Sequence, residues 1–307
     1  KGIMNKTWQI YFNVVLGCIG GILGWLIVGL IPMDDWNVHL SNVLSGIGVG
    51  LFIGGAIGIM EGLLVKRSIL RTILGLIGGL IAGAISGGLG LGLGGLAFVF
   101  IGNLEISFLV DPLFGSFTLG GFLARIIGWV SFGAFLGLGL GILSLKIKRI
   151  GFSLLGGMIA GLIGGIIYDL LTQVFLQSSG QAQVFLSAVG IVLIGACLGG
   201  IIAATVELAK DAIIKVIAGK RTNTEISVIG RTTIGSSDAC DVYIPDEGVK
   251  KNHAQVLKEA KGFIIQNTAD NQPVFVNQTT LATGATLPLK DGDLITIGAA
   301  KMQFKLR

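Results

Sequence analysis

Histidine is scarce in this 307-residue chain: there are two, His39 and His253. The hydropathy pattern sets them on opposite sides of an apolar region, so no His-based catalytic or metal site can be assembled. Cysteine is nearly as scarce. Cys18, Cys197 and Cys240 are odd in number and widely spaced, which excludes a disulfide framework and a zinc ligand set. Two of them fall inside apolar runs and read as small buried hydrophobes. Charged residues make up 13% of the chain, and the net +5 is not gathered on one face, so nucleic acid is excluded as a partner. With no nucleophile–base pair and no midplane ion site, the chain is not read as an enzyme, and no cofactor or metal is implied.

Long hydrophobic runs are what the sequence has. Six stretches, 8–31, 38–64, 72–102, 120–145, 151–175 and 184–206, are long enough to cross a bilayer. The first is too long for a secretory h-region and no small-residue cleavage site follows it, so it reads as a retained span. Lys1, Lys6, Lys66, Arg67, Arg71, Lys146, Lys148, Arg149, Lys210 and Lys215 all fall on one side of this arrangement. Asp34, Asp35, Glu105, Asp111 and Asp169 fall on the other, with Arg125 as its one base. The positive-inside rule then makes both termini cytoplasmic.

All but seven of the 51 glycines precede residue 220. They recur every four residues: Gly46, Gly50, Gly54, Gly58 and Gly62 in the second span, Gly75, Gly79, Gly83 and Gly87 in the third, and Gly133, Gly137 and Gly141 in the fourth. In water each glycine would weaken a helix by about 1 kcal/mol. In lipid the helix persists, and the missing side chains let neighbouring backbones approach. Similar patterns in the odd spans, and in the even ones, suggest three helical hairpins in repeat. The fifth span has glycines on two faces, which leaves room for contacts between protomers. Glu61 and Glu207 sit near cytoplasmic ends beside lysines, where pairing or snorkelling suits them. Arg125 is expected to pair with Asp111 or Glu105.

The chain changes character near its end. From residue 220 onward it carries 20 of the 39 charged residues, and apolar residues alternate instead of recurring at helical spacing. Val242 and Ile244 alternate between the turn-formers Ser236-Ser237-Asp238 and Pro245-Asp246-Glu247-Gly248. Short strands with similar breaks follow at 253–258, 263–267, 274–277, 287–289, 294–298 and 301–307, which suggests a small β-sandwich. The run 210–220 reads as a cytoplasmic continuation of the sixth helix.

These residues resemble the forkhead-associated (FHA) family, over about 224–307. The resemblance rests on Ile234-Gly235, Cys240-Asp241-Val242, Val249 with His253-Ala254, Phe275-Val276-Asn277, Leu289 with Asp291-Gly292-Asp293, and Ile297-Gly298. It implies a sandwich that binds phosphothreonine peptides, with Gly235, His253 and Asn277 structural. The family's phosphate-gripping arginine is replaced here by Ser236, its serine by Lys250, and its peptide-holding asparagine by Gln272; the basic residue after that serine is kept as Lys251. Ser236, Lys250, Lys251 and Gln272 are therefore the candidate partner-binding residues. Ser236 and the backbone amides of its loop, with the two lysines, would supply the donors. Arg231, in a second Ile-Gly-Arg, sits too early in the chain to stand in.

The expected architecture is an α-helical polytopic membrane domain, 1–219, then a linker, 220–224, then an all-β FHA-like sandwich, 225–307. The expected function is a membrane-anchored interaction or scaffold protein in signalling. Its partners would be the lipid bilayer and a protein, phosphorylated or not. The alternative is an oligomeric pore assembled by the glycine-striped helices and regulated by the sandwich.

Overall fold

A computed structural model describes residues 6–33, 36–60, 62–63, 69–102, 107–109, 117–174, 180–260 and 262–306. The chain divides into a helical unit, Lys6–Leu208, and a β unit that runs from Ala209 to Arg307.

Among the described residues the helical unit has six helices: α1 (Lys6–Gly29), α2 (Val38–Gly58), α3 (Ile69–Ile101), α4 (Leu119–Ile142), α5 (Ile147–Val174) and α6 (Gly180–Leu208). Each is long and apolar enough to cross a membrane. Each packs on its neighbours in sequence, and α6 packs on α1, so the adjacency closes into a ring. Two short antiparallel strands, β1 (Ser107–Leu109) and β2 (Phe117–Thr118), lie between α3 and α4. Glu61, Glu105 and Asp111 fall outside the described residues.

Glycine sets how closely the helices approach. A Cβ built at Gly46, Gly50, Gly54 or Gly58 would strike the carbonyl oxygen of Gly87, Gly83, Gly79 or Gly75 in turn, so α2 and α3 touch backbone to backbone at four successive positions. The same kind of contact joins α4 to α5 through Gly133 and Gly157, and α6 to α1 through Gly195 and Gly17. On α5 the two glycine faces divide: Gly157 and Gly161 meet α4, while Gly156 and Gly164 meet α6. The stripes are thus used within one chain, and both glycine faces of α5 are in contact with neighbouring helices. The middle of the ring is filled by Val49, Ile53, Ile57, Trp129, Phe132, Leu136, Ile194 and Leu198. Ile81, Ile85 and Leu89 line the exposed side of α3, one turn apart, as a lipid-facing stripe requires.

Arg125, whose expected partners Asp111 and Glu105 lie outside the described residues, pairs with a third acid. Its Nε donates to Asp169 Oδ2 at 2.8 Å, joining α4 to α5. Asp169 is buried.

The β unit contains eleven strands in two facing sheets. They are β3 (Ala212–Ala218), β4 (Glu225–Val228), β5 (Thr232–Gly235), β6 (Val242–Tyr243), β7 (Ala254–Glu259), β8 (Gly262–Asn267), β9 (Val274–Val276), β10 (Thr279–Leu281), β11 (Thr286–Leu289), β12 (Leu294–Ile297) and β13 (Ala300–Leu306). One sheet runs β10-β9-β12-β13-β3-β4 and the other β11-β8-β7-β5-β6. Their inner faces bury one apolar core that includes Ile214, Val228, Ile234, Val256, Ile265, Ile295 and Phe304.

The β unit corrects the expected boundary. Residues 212–218 are not a continuation of α6 but a central strand, paired with β13 on one side and β4 on the other. Ala212, Ile214 and Val216 point inward with no exposed surface, while Ile213 and Lys215 alternate outward. That period of two, carried by β-branched residues, is strand geometry. Residues 220–224 are accordingly the β3–β4 turn within the unit, and not a linker before it.

Candidate functional site

Strand direction sorts the connections to two ends. The chain enters at Ala212, which pairs with Leu306 and Val228, so this end also holds the turn around Gly230 and the 290–293 loop. The opposite end gathers the β3–β4 turn, the β5–β6 loop, the β6–β7 loop, the β8–β9 loop and the β12–β13 turn. Every candidate binding residue lies at this far end. Arg231 does not: it stands at the entry end, where Gly230 N donates to Asp211 Oδ2 at 3.1 Å. Four residues of β5 separate it from Ser236, five residue steps or about 16 Å at strand rise.

Hydrogen bonds draw the far-end loops together. Ser236 N donates to the Lys250 carbonyl at 2.9 Å, and Ser237 N to the Lys251 carbonyl at 3.3 Å. Cys240 Sγ adds a contact to the Lys251 carbonyl at 3.1 Å. Gly235 is glycine because the Lys251 carbonyl lies where its Cβ would stand. Of the loop amides expected to donate to a ligand, those of Ser236 and Ser237 are engaged by the neighbouring loop. The side chains of Lys250 and Lys251 remain exposed at the rim.

His253 lies beneath them, fully buried. Its Nδ1 accepts the Lys250 backbone N–H at 3.0 Å. Burial lowers the imidazole pKa most strongly. The nearby Pro273 backbone raises it, and the Lys250 charge lowers it. The ring is neutral, with Nδ1 unprotonated, and it holds the loop instead of facing a ligand.

Gln272 joins the same end through its backbone: its carbonyl accepts from Asn267 Nδ2 at 2.9 Å. Asn267 is the organiser the sequence reading missed. Buried completely, it also donates to the Leu281 carbonyl at 2.9 Å and accepts from Ala269 N at 3.0 Å. Only its place at the end of an alternating run marked it, and that signal does not separate an organising asparagine from an ordinary turn-former. Asn277 lies at the entry end, at φ +54°, where its side chain bonds Leu294 N and Asp293. Among the described residues no three His, Cys, Asp or Glu side chains gather as a metal site would need.

Comparison with known proteins places this end in a family context. Residues 232–298 match the family model of the FHA domain. The FHA domain of a hypothetical protein from Arabidopsis thaliana is similar at 18% identity, covering 32% of this chain and 87% of that one, with a TM-score of 0.30. The FHA domain of CT664 protein from Chlamydia trachomatis is similar at 16% identity, over 32% and 98%, with a TM-score of 0.28. The cytoplasmic domain of PscD, a type III secretion sorting platform protein from P. aeruginosa, is similar at 22% identity, over 31% and 80%, with a TM-score of 0.28. No curated protein matches the chain.

Proposed function

We propose that this protein is a membrane-anchored interaction module whose FHA domain docks a protein partner at the end of the sandwich farthest from the chain's entry. Three observations support the reading: the FHA match over 232–298, six helices apolar enough to cross a membrane, and basic residues that, Arg125 apart, fall in one set of loops of the helical region. The charge pattern favours both termini on the cytoplasmic side. The observation that carries the reading is the rigid far end, where Ser236, Lys250 and Lys251 are held side by side through the Ser236 N–Lys250 O bond.

Phosphothreonine recognition is retained here in altered form. Ser236 cannot offer a guanidinium fork, and a lysine acts as a point charge. The ring of helices serves as an anchor built from three diverged hairpins, a reading supported by glycine contacts that recur at α2–α3, α4–α5 and α6–α1. The pore reading is less favoured, because the glycine stripes meet neighbouring helices of the same chain and the buried cluster between the helices is apolar.

The test is capture of partners on the full chain in nanodiscs, with K250A/K251A as the control and with bait and lysate treated or not with phosphatase. The reading expects partners held by the parent and lost from the double variant. Partners that remain on K250A/K251A at parental levels place docking elsewhere on the sandwich.

A further inference from the structure

The two outer faces of the sandwich differ in charge. On the six-stranded sheet the outward positions carry Lys215 on β3 and Lys301 and Lys305 on β13, against one acid, Glu225 on β4. Among the described residues the outward positions of the five-stranded sheet hold Glu259 as their one charge. Lys258, at the end of β7, is engaged by Asp211 Oδ1 at 2.6 Å.

Register brings the three lysines together. Gln303 pairs with Lys215, and Lys301 and Lys305 lie two residues to either side of Gln303 on β13. Residues two apart on a strand share a face, and neighbouring strands lie about 4.8 Å apart, so the lysines start from one patch about 13 Å long. Apolar side chains share this face. Phe275 pairs with Thr296, and Thr296 with Lys301, in one row across the sheet. Ile217 stands where β3 and β13 slip in register. With Leu294 and Leu306 these are the exposed large apolar side chains of the β unit among the described residues, and all four belong to this sheet.

Lysines set around exposed aliphatic and aromatic groups suit the boundary between lipid headgroups and acyl chains, which satisfies both. The chain keeps such a boundary within reach. Only Ala209, Lys210 and Asp211 separate β3 from α6, a helix apolar enough to cross a membrane. Four steps of extended chain span at most about 14 Å, and charge attraction extends about 8–10 Å at ordinary salt. An attraction too weak to capture a free domain is enough to orient one that cannot diffuse away.

We propose that the outer face of the six-stranded sheet docks on the anionic phospholipid headgroups of the bilayer that anchors the chain. Lys215, Lys301 and Lys305 supply the charge, and Ile217 and Phe275 enter the headgroup layer. Lys250 and Lys251 stand on an end loop of the sandwich, not on this face, and stay free for a protein partner. The inference rests on the membrane-anchored part of the reading above and is independent of what docks at the far end.

The test uses the full chain in nanodiscs of phosphatidylcholine, with or without phosphatidylserine. With Cys18, Cys197 and Cys240 replaced by alanine, a bimane is attached either at T280C, beside Phe275, or at T286C, on the outer face of the other sheet. A spin label carried on the lipid headgroup quenches the bimane that comes near it. Quenching at T280C is expected to rise with phosphatidylserine and fall back as salt is added, while T286C stays weakly quenched throughout. Each lysine near an anionic surface is worth about fivefold, so K215Q/K301Q/K305Q should lower the docked-to-undocked ratio about a hundredfold and return T280C to its value in neutral discs. If that variant does not fold, the parent decides: quenching that salt does not relieve overturns the proposal. Equal quenching at T280C in neutral and anionic discs overturns it, as does quenching at T286C in place of T280C. Absence of quenching at both sites in anionic discs overturns it too and leaves the face to an acidic protein. Partner capture with K250A/K251A does not depend on any of these outcomes, so failure here and failure of far-end docking are told apart.

Discussion

Nδ1 of His253 accepts the backbone N–H of Lys250 at 3.0 Å, so a fully buried imidazole fixes the segment that presents both exposed lysines. Burial lowers its pKa, the nearby Pro273 backbone raises it, and Lys250 lowers it. In the unfolded chain the ring titrates near about 6.5. Below that value the unfolded state takes up a proton that the fold resists, so stability rises with pH across this range. The contribution is present above about pH 6.5 and is lost as pH falls from there through the depressed folded value. Hydrogen exchange over β7 and β8 should accelerate between pH 7 and 5 after correction for intrinsic rates. H253L, weaker at pH 7, should show a flatter response. An equal slope in both would assign the acid sensitivity to other groups.

β3 makes the sandwich begin earlier than its family resemblance suggests. A fragment 209–307 should fold alone, whereas 224–307 should not. The shorter fragment loses Ile214 and Val216, both fully buried, and exposes the ladders of β13 and β4. Each side chain stabilises by roughly 1.5–3 kcal/mol when buried, against a total of about 5–15 kcal/mol for a typical domain. Dispersed amide proton shifts from 224–307 would show that β3 is dispensable.

Most of the sandwich was legible from period-two alternation between turn-formers, and β7, β8, β12 and β13 lie within a residue or two of their expected places. β3 was not. It follows directly on an apolar helix, and Ala212 to Ala218 holds no turn-former to mark the change. The family resemblance began after it. The candidate residues converge because loops at one end of alternating strands must meet, which chain order alone implies. With 212–218 read as helix, 220–224 became a linker instead of the β3–β4 turn. The Arg125–Asp169 pair depends on how α4 and α5 turn about their axes, and spacing along one strand of sequence does not carry that.

Gly54 should be intolerant of bulk. A Cβ there would strike the Gly79 carbonyl oxygen and come 2.7 Å from Gly83 Cα, both backbone atoms that no rotamer change can move. G54L should destabilise by at least the ~1–3 kcal/mol typical of overpacking. I81L, on the exposed side of α3, should be nearly silent. Retention of a monodisperse peak after heating in detergent would measure both. Equal heat resistance would mean that α2 and α3 do not meet through this stripe.

Membrane orientation gives a third kind of test. Val38 and Leu145 are exposed, next to the α1–α2 and α4–α5 connections. In a background with Cys18, Cys197 and Cys240 replaced by alanine, an impermeant thiol reagent added to intact cells should label V38C and spare L145C. The reverse pattern would invert the topology and put the FHA domain outside.

The Arg125–Asp169 pair should respond unequally to loss of its two members. Asp169 Oδ2 lies 2.8 Å from Arg125 Nε, with side-chain exposures of 2% for the acid and 33% for the base. R125L leaves a buried carboxylate without its guanidinium, a change that costs about 3–5 kcal/mol in comparable buried pairs. D169L leaves an arginine that can extend its long stem toward the nearest polar surface, so its cost should be clearly smaller. The double variant R125L/D169L should recover much of the R125L loss, because apolar replacement of a buried pair is often neutral or favourable by about 1–4 kcal/mol. A double-mutant cycle by unfolding in mixed micelles reads all three. If R125L is the milder single change, groups other than Arg125 hold the carboxylate in place, and α4 is joined to α5 mainly by the glycine contacts at Gly133 and Gly157.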